Sequence, residues 1–105
     1  KGDYEGAIED YNQALRLKPD YADAYNNWGA ARGKKEDYEG AIEDCNQAIR
    51  LKPDYADAYN NRGAARGKKE DYEGAIEDYN QALRLNPDDT SAYKNRELAR
   101  SKKKR

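Results

Sequence analysis

Small and apolar residues recur along the chain at the spacing of an α-helix. Tyr38, Ala41, Ile42, Cys45, Ala48 and Ile49 follow one another in steps that place them on one stripe of a helix. Asp37 stands where an N-cap belongs, Glu39 lies in the first turn, and Pro53 ends the run soon after Leu51. A second pattern precedes this one. Tyr25, Trp28, Gly29 and Arg32 share a face, while Asp23, Asn26, Ala30 and Lys34 fall on roughly the opposite face. Gly33, backed by Lys34 and Lys35, marks the C-terminal turn of that helix. The two patterns alternate and predict six helices, over 3–17, 21–34, 37–51, 55–68, 71–85 and 89–103.

The alternation is a repeat. Residues 22–55 and 56–89 form units with a period of 34 that differ at only five positions: Trp28/Arg62, Cys45/Tyr79, Ile49/Leu83, Lys52/Asn86 and Tyr55/Asp89. Residues 1–21 read as the second helix of a partial repeat. Residues 90–105 read as a C-terminal capping helix with a basic tail, so that 1–105 is a single array.

In the first complete unit the skeleton is Tyr25, Gly29, Ala41, Cys45, Ala48 and Pro53; in the second it is Tyr59, Gly63, Ala75, Tyr79, Ala82 and Pro87. Period and skeleton together resemble the tetratricopeptide repeat (TPR) family. The resemblance implies an all-α solenoid of antiparallel helix hairpins, coiled into a right-handed superhelix whose first helices line a concave groove. Carried onto this chain, it assigns peptide binding to Asn26, Asn27, Lys34, Asn60, Asn61, Lys68 and Lys94. An Asn amide both donates and accepts, so a ladder of them can clamp an extended backbone, while Lys holds acidic groups. One subclass of the family grips the C-terminal carboxylate of chaperone-type peptides with a Lys/Asn/Asn/Lys/Arg clamp. Here Asn27 and Asn61 match only its middle Asn slot. Asn26 and Asn60 stand at its first Lys, Ala30 and Ala64 at an Asn, Asp57 and Ser91 at a Lys, and Asn95 at the Arg, so that specificity is not expected. The chain also departs from the family pattern elsewhere. Arg62 and Arg96 occupy a common Leu position, Arg32 and Arg66 a common Tyr position, and Cys45 an aromatic position, which predicts a less well filled middle hairpin.

Composition sharpens this reading. The apolar class is dominated by 16 Ala and 10 Tyr, with 6 Leu and 4 Ile and no Val, Phe, Met or His. That supply is thin for one central core but sufficient for seams one unit wide. With four Ile, one Thr and no Val, β-branched residues are too few for a strand-built core. No apolar run has the length of a membrane span or signal peptide, so the chain reads as cytoplasmic and away from membranes. Without Met, it also reads as a processed or excised segment.

Candidate chemistry is sparse. The absence of His removes His-dependent triads and His metal sites. Cys45, the one cysteine, lies on the apolar stripe and reads as a buried filler. The pairs Glu9-Asp10, Glu43-Asp44 and Glu77-Asp78 recur identically and read as a solvated convex face, since neighbouring helical residues diverge by about 100°. Gly33-Lys34-Lys35 and Gly67-Lys68-Lys69 lack the upstream Gly and following Ser/Thr of a phosphate loop. No catalytic constellation, metal site or cofactor site emerges.

Charge is uneven. Residues 1–93 carry 13 basic and 20 acidic side chains, and residues 94–105 carry 7 and 1. The acidic body disfavours nucleic acid as a partner. The expected function is a non-catalytic scaffold that binds an extended peptide or partner helix. The alternative is a structural, designed or recently duplicated array that folds and self-associates. Self-association would use Tyr4, Ala7, Ile8, Tyr11 and Ala14 on the first helix, whose apolar stripe lacks a hairpin partner and would meet a second copy.

Overall fold

The structure, a computed structural model, describes residues 21–104. These form five α-helices and no strand: α1 (Ala22–Lys34), α2 (Tyr38–Leu51), α3 (Ala56–Lys68), α4 (Tyr72–Leu85) and α5 (Thr90–Lys103). Each begins one residue later than the sequence predicts. The six helices expected are therefore five, because the predicted 3–17 helix lies outside the described residues. The same is true of Tyr4, Ala7, Ile8, Tyr11 and Ala14 and of the association assigned to them.

Capping fixes the helix starts. The carboxylates of Asp37, Asp71 and Asp89 accept from the backbone N–H groups of Gly40, Gly74 and Ala92 at 3.0–3.1 Å. The turn from α1 to α2 does not use Gly33 as the sequence suggests. Helix α1 continues through Lys34, and the left-handed residue is Glu36, at φ 70°. The Asp37 N–H reaches back to the Arg32 carbonyl (2.8 Å) and the Glu36 N–H to that of Gly33 (3.0 Å), which is a Schellman turn. Asp37 thus closes one helix and caps the next.

Glu70, at φ 68°, repeats this geometry between α3 and α4. A left-handed conformation costs an ordinary L-residue roughly 1–2 kcal/mol. Glu36→Gly and Glu70→Gly are therefore each expected to raise stability by about 1 kcal/mol, partly offset by chain entropy. The check is a higher urea midpoint at unchanged m-value.

Helices α1 and α2 form one hairpin and α3 and α4 a second, with α5 against α3 and α4. Small residues set the hairpin spacing. A Cβ on Gly29 would lie 3.2 Å from the Ala41 carbonyl oxygen and the Cys45 Sγ; one on Gly63 would lie 3.0 Å from the Tyr79 ring. Ala41, Ala48, Ala58, Ala75, Ala82 and Ala92 are fully or almost fully buried along the seams. Around the last of these, Tyr59, Tyr72, Ile76 and Leu83 pack on a cluster of Ala75, Tyr79, Ala82, Ala92 and Ala99.

The layers are unequal. Helices α1 and α3 touch, as do α3 and α5, but α2 and α4 do not. Helices that converge on one side of a two-layer array and separate on the other make that array curved. The α1/α3/α5 layer is its inner side.

The acidic pairs need correction. Glu43 and Glu77 are exposed, but Asp44 and Asp78 are buried in the hairpin seams and do not belong to a solvated face. Asp78 accepts from Arg62 through both oxygens (2.7 and 3.1 Å) and from Arg66 at 3.0 Å. Among the described residues Asp44 has only Arg32, whose Nε lies 3.5 Å from Oδ2. In the first unit Trp28 occupies the slot of Arg62, and Arg32 stacks on its ring at 4.1 Å.

Candidate functional site

The inner layer presents one exposed helix face from each unit. Asn27 and Lys34 are exposed on α1, Lys68 on α3, and Lys94 and Asn95 on α5. Among the described residues, Lys34, Lys68, Lys94 and Lys102 have no carboxylate partner. Lys69, just past the end of α3, and Lys103, the last residue of α5, are tied to Glu39 and Glu73 at 2.9 and 3.0 Å. Lys68 and Lys102 line one cavity while Lys69 and Lys103 bind across units.

The four candidate asparagines of α1 and α3 are not equivalent. The Asn61 amide donates to Asn26 Oδ1 at 2.9 Å, joining α1 to α3. Asn26 is only 6% exposed, so it supports Asn61 more than it faces solvent. Asn60 donates to Asp89 at 2.7 Å, and its Oδ1 is buried without a hydrogen-bond partner.

One substitution accompanies this asymmetry. In the first unit, the Tyr55 hydroxyl donates to Asp23 at 2.6 Å; burial and that carboxylate hold the phenol above its ordinary range. In the second unit, Asp89 replaces Tyr55 and faces Asp57 in register, a pairing two carboxylates cannot make. Asp89 takes the Asn60 amide instead. Asn95, the counterpart of Asn61, is left without a partner among the described residues.

Between α3, α4 and α5 the face opens into a cavity of about 270 Å³, lined by Ala64, Lys68, Tyr79, Asn95, Leu98 and Lys102 among others. Of these, Ala64, Lys68, Asn95 and Lys102 lie on the face that the family resemblance assigns to the groove; Leu98, which is 54% exposed and replaces the Ala30 and Ala64 of the earlier units, is not expected there. The signal available was that break in the repeat.

The buried groups offer little reactivity. Burial, reinforced by the Asp44 charge, pushes the Cys45 thiol up to about 12, which leaves almost no thiolate at neutral pH. Burial and then the Asp78 charge push the Tyr79 phenol up to about 12. Among the described residues, no group of three or more His, Cys, Asp or Glu side chains is placed to hold a metal ion. No described helix is long and apolar enough to cross a membrane.

Family models described as TPR repeat match residues 1–36 and 32–70, and one described as tetratricopeptide repeat matches residues 56–89. The chain belongs to the tetratricopeptide repeat family. Repeats of this family are typically non-catalytic interaction modules.

No curated protein sequence matches the chain. Solved TPR domains do. The first TPR of Spaghetti (RPAP3), bound to the HSP90 peptide SRMEEVD, is similar with a TM-score of 0.94 at 30% identity, over 95% of this chain and 79% of that one. The second TPR domain of human RPAP3, in complex with the HSP70 peptide SGPTIEEVD, gives 0.91 at 32% identity over 94% and 82%. The Sgt2 TPR domain from Aspergillus fumigatus gives 0.92 at 29% identity over 97% and 69%.

Proposed function

We propose that this TPR chain is a non-catalytic interaction scaffold whose α1/α3/α5 face takes an extended peptide. The observation that carries the reading is the unequal layering: α1, α3 and α5 converge while α2 and α4 separate, which leaves a concave face rich in amides and free lysines. Asn27 and Asn61 bond the peptide backbone, with Asn26 holding Asn61 and Asn60 bracing α3 against Asp89. Lys34, Lys68 and Lys94 attract its acidic groups. Two of the similar TPR domains bind peptides ending in Glu-Glu-Val-Asp, which supports a peptide as the class of partner.

A selection from a random peptide library tests this reading. It is expected to return sequence-related binders whose affinity falls at least about tenfold in the double variant Asn26→Ala, Asn60→Ala. Far-UV circular dichroism should stay unchanged. Full affinity in that variant would place binding elsewhere. A selection that returns nothing sequence-specific would favour a purely structural array, which the near-identity of the units also fits.

A further inference from the structure

We propose that the cavity between α3, α4 and α5 holds one bulky apolar side chain from the interior of an acidic peptide, with Lys68 and Lys102 engaging carboxylates on either side of it. The inference rests on the groove reading above and names the ligand class of one place within it.

The apolar part of the claim comes from Leu98. Its side chain stands where earlier units have Ala, and it is 54% exposed inside a concavity of about 270 Å³ walled by the Tyr72 and Tyr79 rings. A space near the small end of ligand pockets suits one leucine- or phenylalanine-sized group. Burying such a group against exposed leucine and tyrosine carbon is favourable in proportion to the area removed from water.

The acidic part comes from charge. Lys68 and Lys102 line the same cavity, exposed and unpaired among the described residues. Beside them Lys69 and Lys103 are already neutralised by Glu39 and Glu73. The pocket therefore carries two uncompensated positive charges on an otherwise acidic body, a field complementary to carboxylates.

Engagement of an internal segment follows from Asn95. Its exposed amide has no partner among the described residues, so it can donate to and accept from a peptide backbone at the cavity mouth. Ser91 and Asn95, at the positions where the carboxylate-gripping subclass places a Lys and an Arg, are neutral, so that grip on a free C-terminus is missing from α5.

The test is fluorescence anisotropy on the full chain with labelled peptides blocked at both ends, in a Gly/Ser frame carrying Asp-Leu-Asp, Asp-Ala-Asp or Lys-Leu-Lys. The Asp-Leu-Asp peptide is expected to bind at least about tenfold more tightly than either counterpart. Leu98→Ala should remove its advantage over Asp-Ala-Asp. The pair Lys68→Glu, Lys102→Glu should shift the preference to Lys-Leu-Lys. All three positions are on the surface, so each variant should keep the parent circular dichroism.

Equal binding of the three peptides, no binding of Asp-Leu-Asp, or affinities indifferent to these variants would overturn the proposal. Library-selected peptides that depend on Asn60 but not on Leu98 would overturn it while leaving the groove reading intact.

Discussion

Asp78→Ala is expected to cost about 3 kcal/mol or more of folding stability. Asp78 is 2% exposed and holds two guanidinium groups that are themselves mostly buried. Removing it leaves Arg62 with Asn46 Oδ1 at 2.7 Å and Arg66 with Asp71 at 4.0 Å, neither of which replaces a carboxylate that binds both. Breaking a buried ion pair from one side typically costs about 3–5 kcal/mol, because the remaining charge is stranded. Partial exposure of the arginines argues for the lower end.

The cost should be largely reversible by design. Adding Arg62→Leu and Arg66→Tyr to Asp78→Ala replaces the whole charged cluster by packed apolar surface, which is often close to neutral. Urea denaturation of parent, single and triple variants checks both steps. If the single variant loses less than about 1 kcal/mol, the cluster does not hold the hairpin together.

The first hairpin should instead lose stability as pH rises. Burial drives the Asp44 carboxyl up to about 7; Arg32 opposes this, while Asp37 and Glu43 add to it. Among the described residues its Oδ2 has no hydrogen-bond partner, since Trp28 sits where a second arginine would reach it. The folded chain therefore binds this proton more tightly than the unfolded chain, whose value is near 3.8. The penalty is absent below that value, grows between about pH 4 and 7, and is complete above 7. The rise to about 7 corresponds to at most about 4 kcal/mol.

Asp44→Asn removes the ionisation. Its stability relative to the parent should climb between pH 4 and 8 by up to about 4 kcal/mol, as read from denaturant midpoints at each pH. Trp28→Arg should flatten the same dependence by supplying the missing guanidinium. Parallel pH curves for parent and Asp44→Asn would show that Asp44 finds a compensating partner.

These two effects mark where sequence reasoning stopped short. The helices were legible because Asp37, Asp71 and Asp89 sit ahead of apolar stripes at helical spacing, and the repeat registers each unit against the next. The buried carboxylates were not. Glu43-Asp44 looks like any solvated acidic pair, and only the hairpin geometry turns Asp44 inward and Glu43 outward. The arginines at positions usual for Leu and Tyr were visible departures. For Arg32, Arg62 and Arg66 the explanation, a buried aspartate opposite each, required knowing which face of α2 and α4 meets them; Arg96 meets Asn80 instead.

The turns differ for a local reason: Gly33 looks like a helix terminator, yet the Schellman closure falls three residues later, on Glu36. For the groove, the family resemblance proposes Asn27, Asn61 and Lys68. That Asn60 bonds Asp89, where Tyr55 stands in the earlier unit, and that Asn95 has no partner among the described residues appear only once the side chains are placed.

The claim that the α1/α3/α5 layer is the binding face is tested most directly by titrating the isotope-labelled chain with a library-selected peptide and following backbone amide shifts by NMR. The account predicts that shifts concentrate at Asn27, Asn61, Lys68, Lys94 and Asn95, with Glu43, Glu77 and Asn80 on the outer helices unmoved. Shifts confined to α2 and α4, with the inner helices silent, would contradict it.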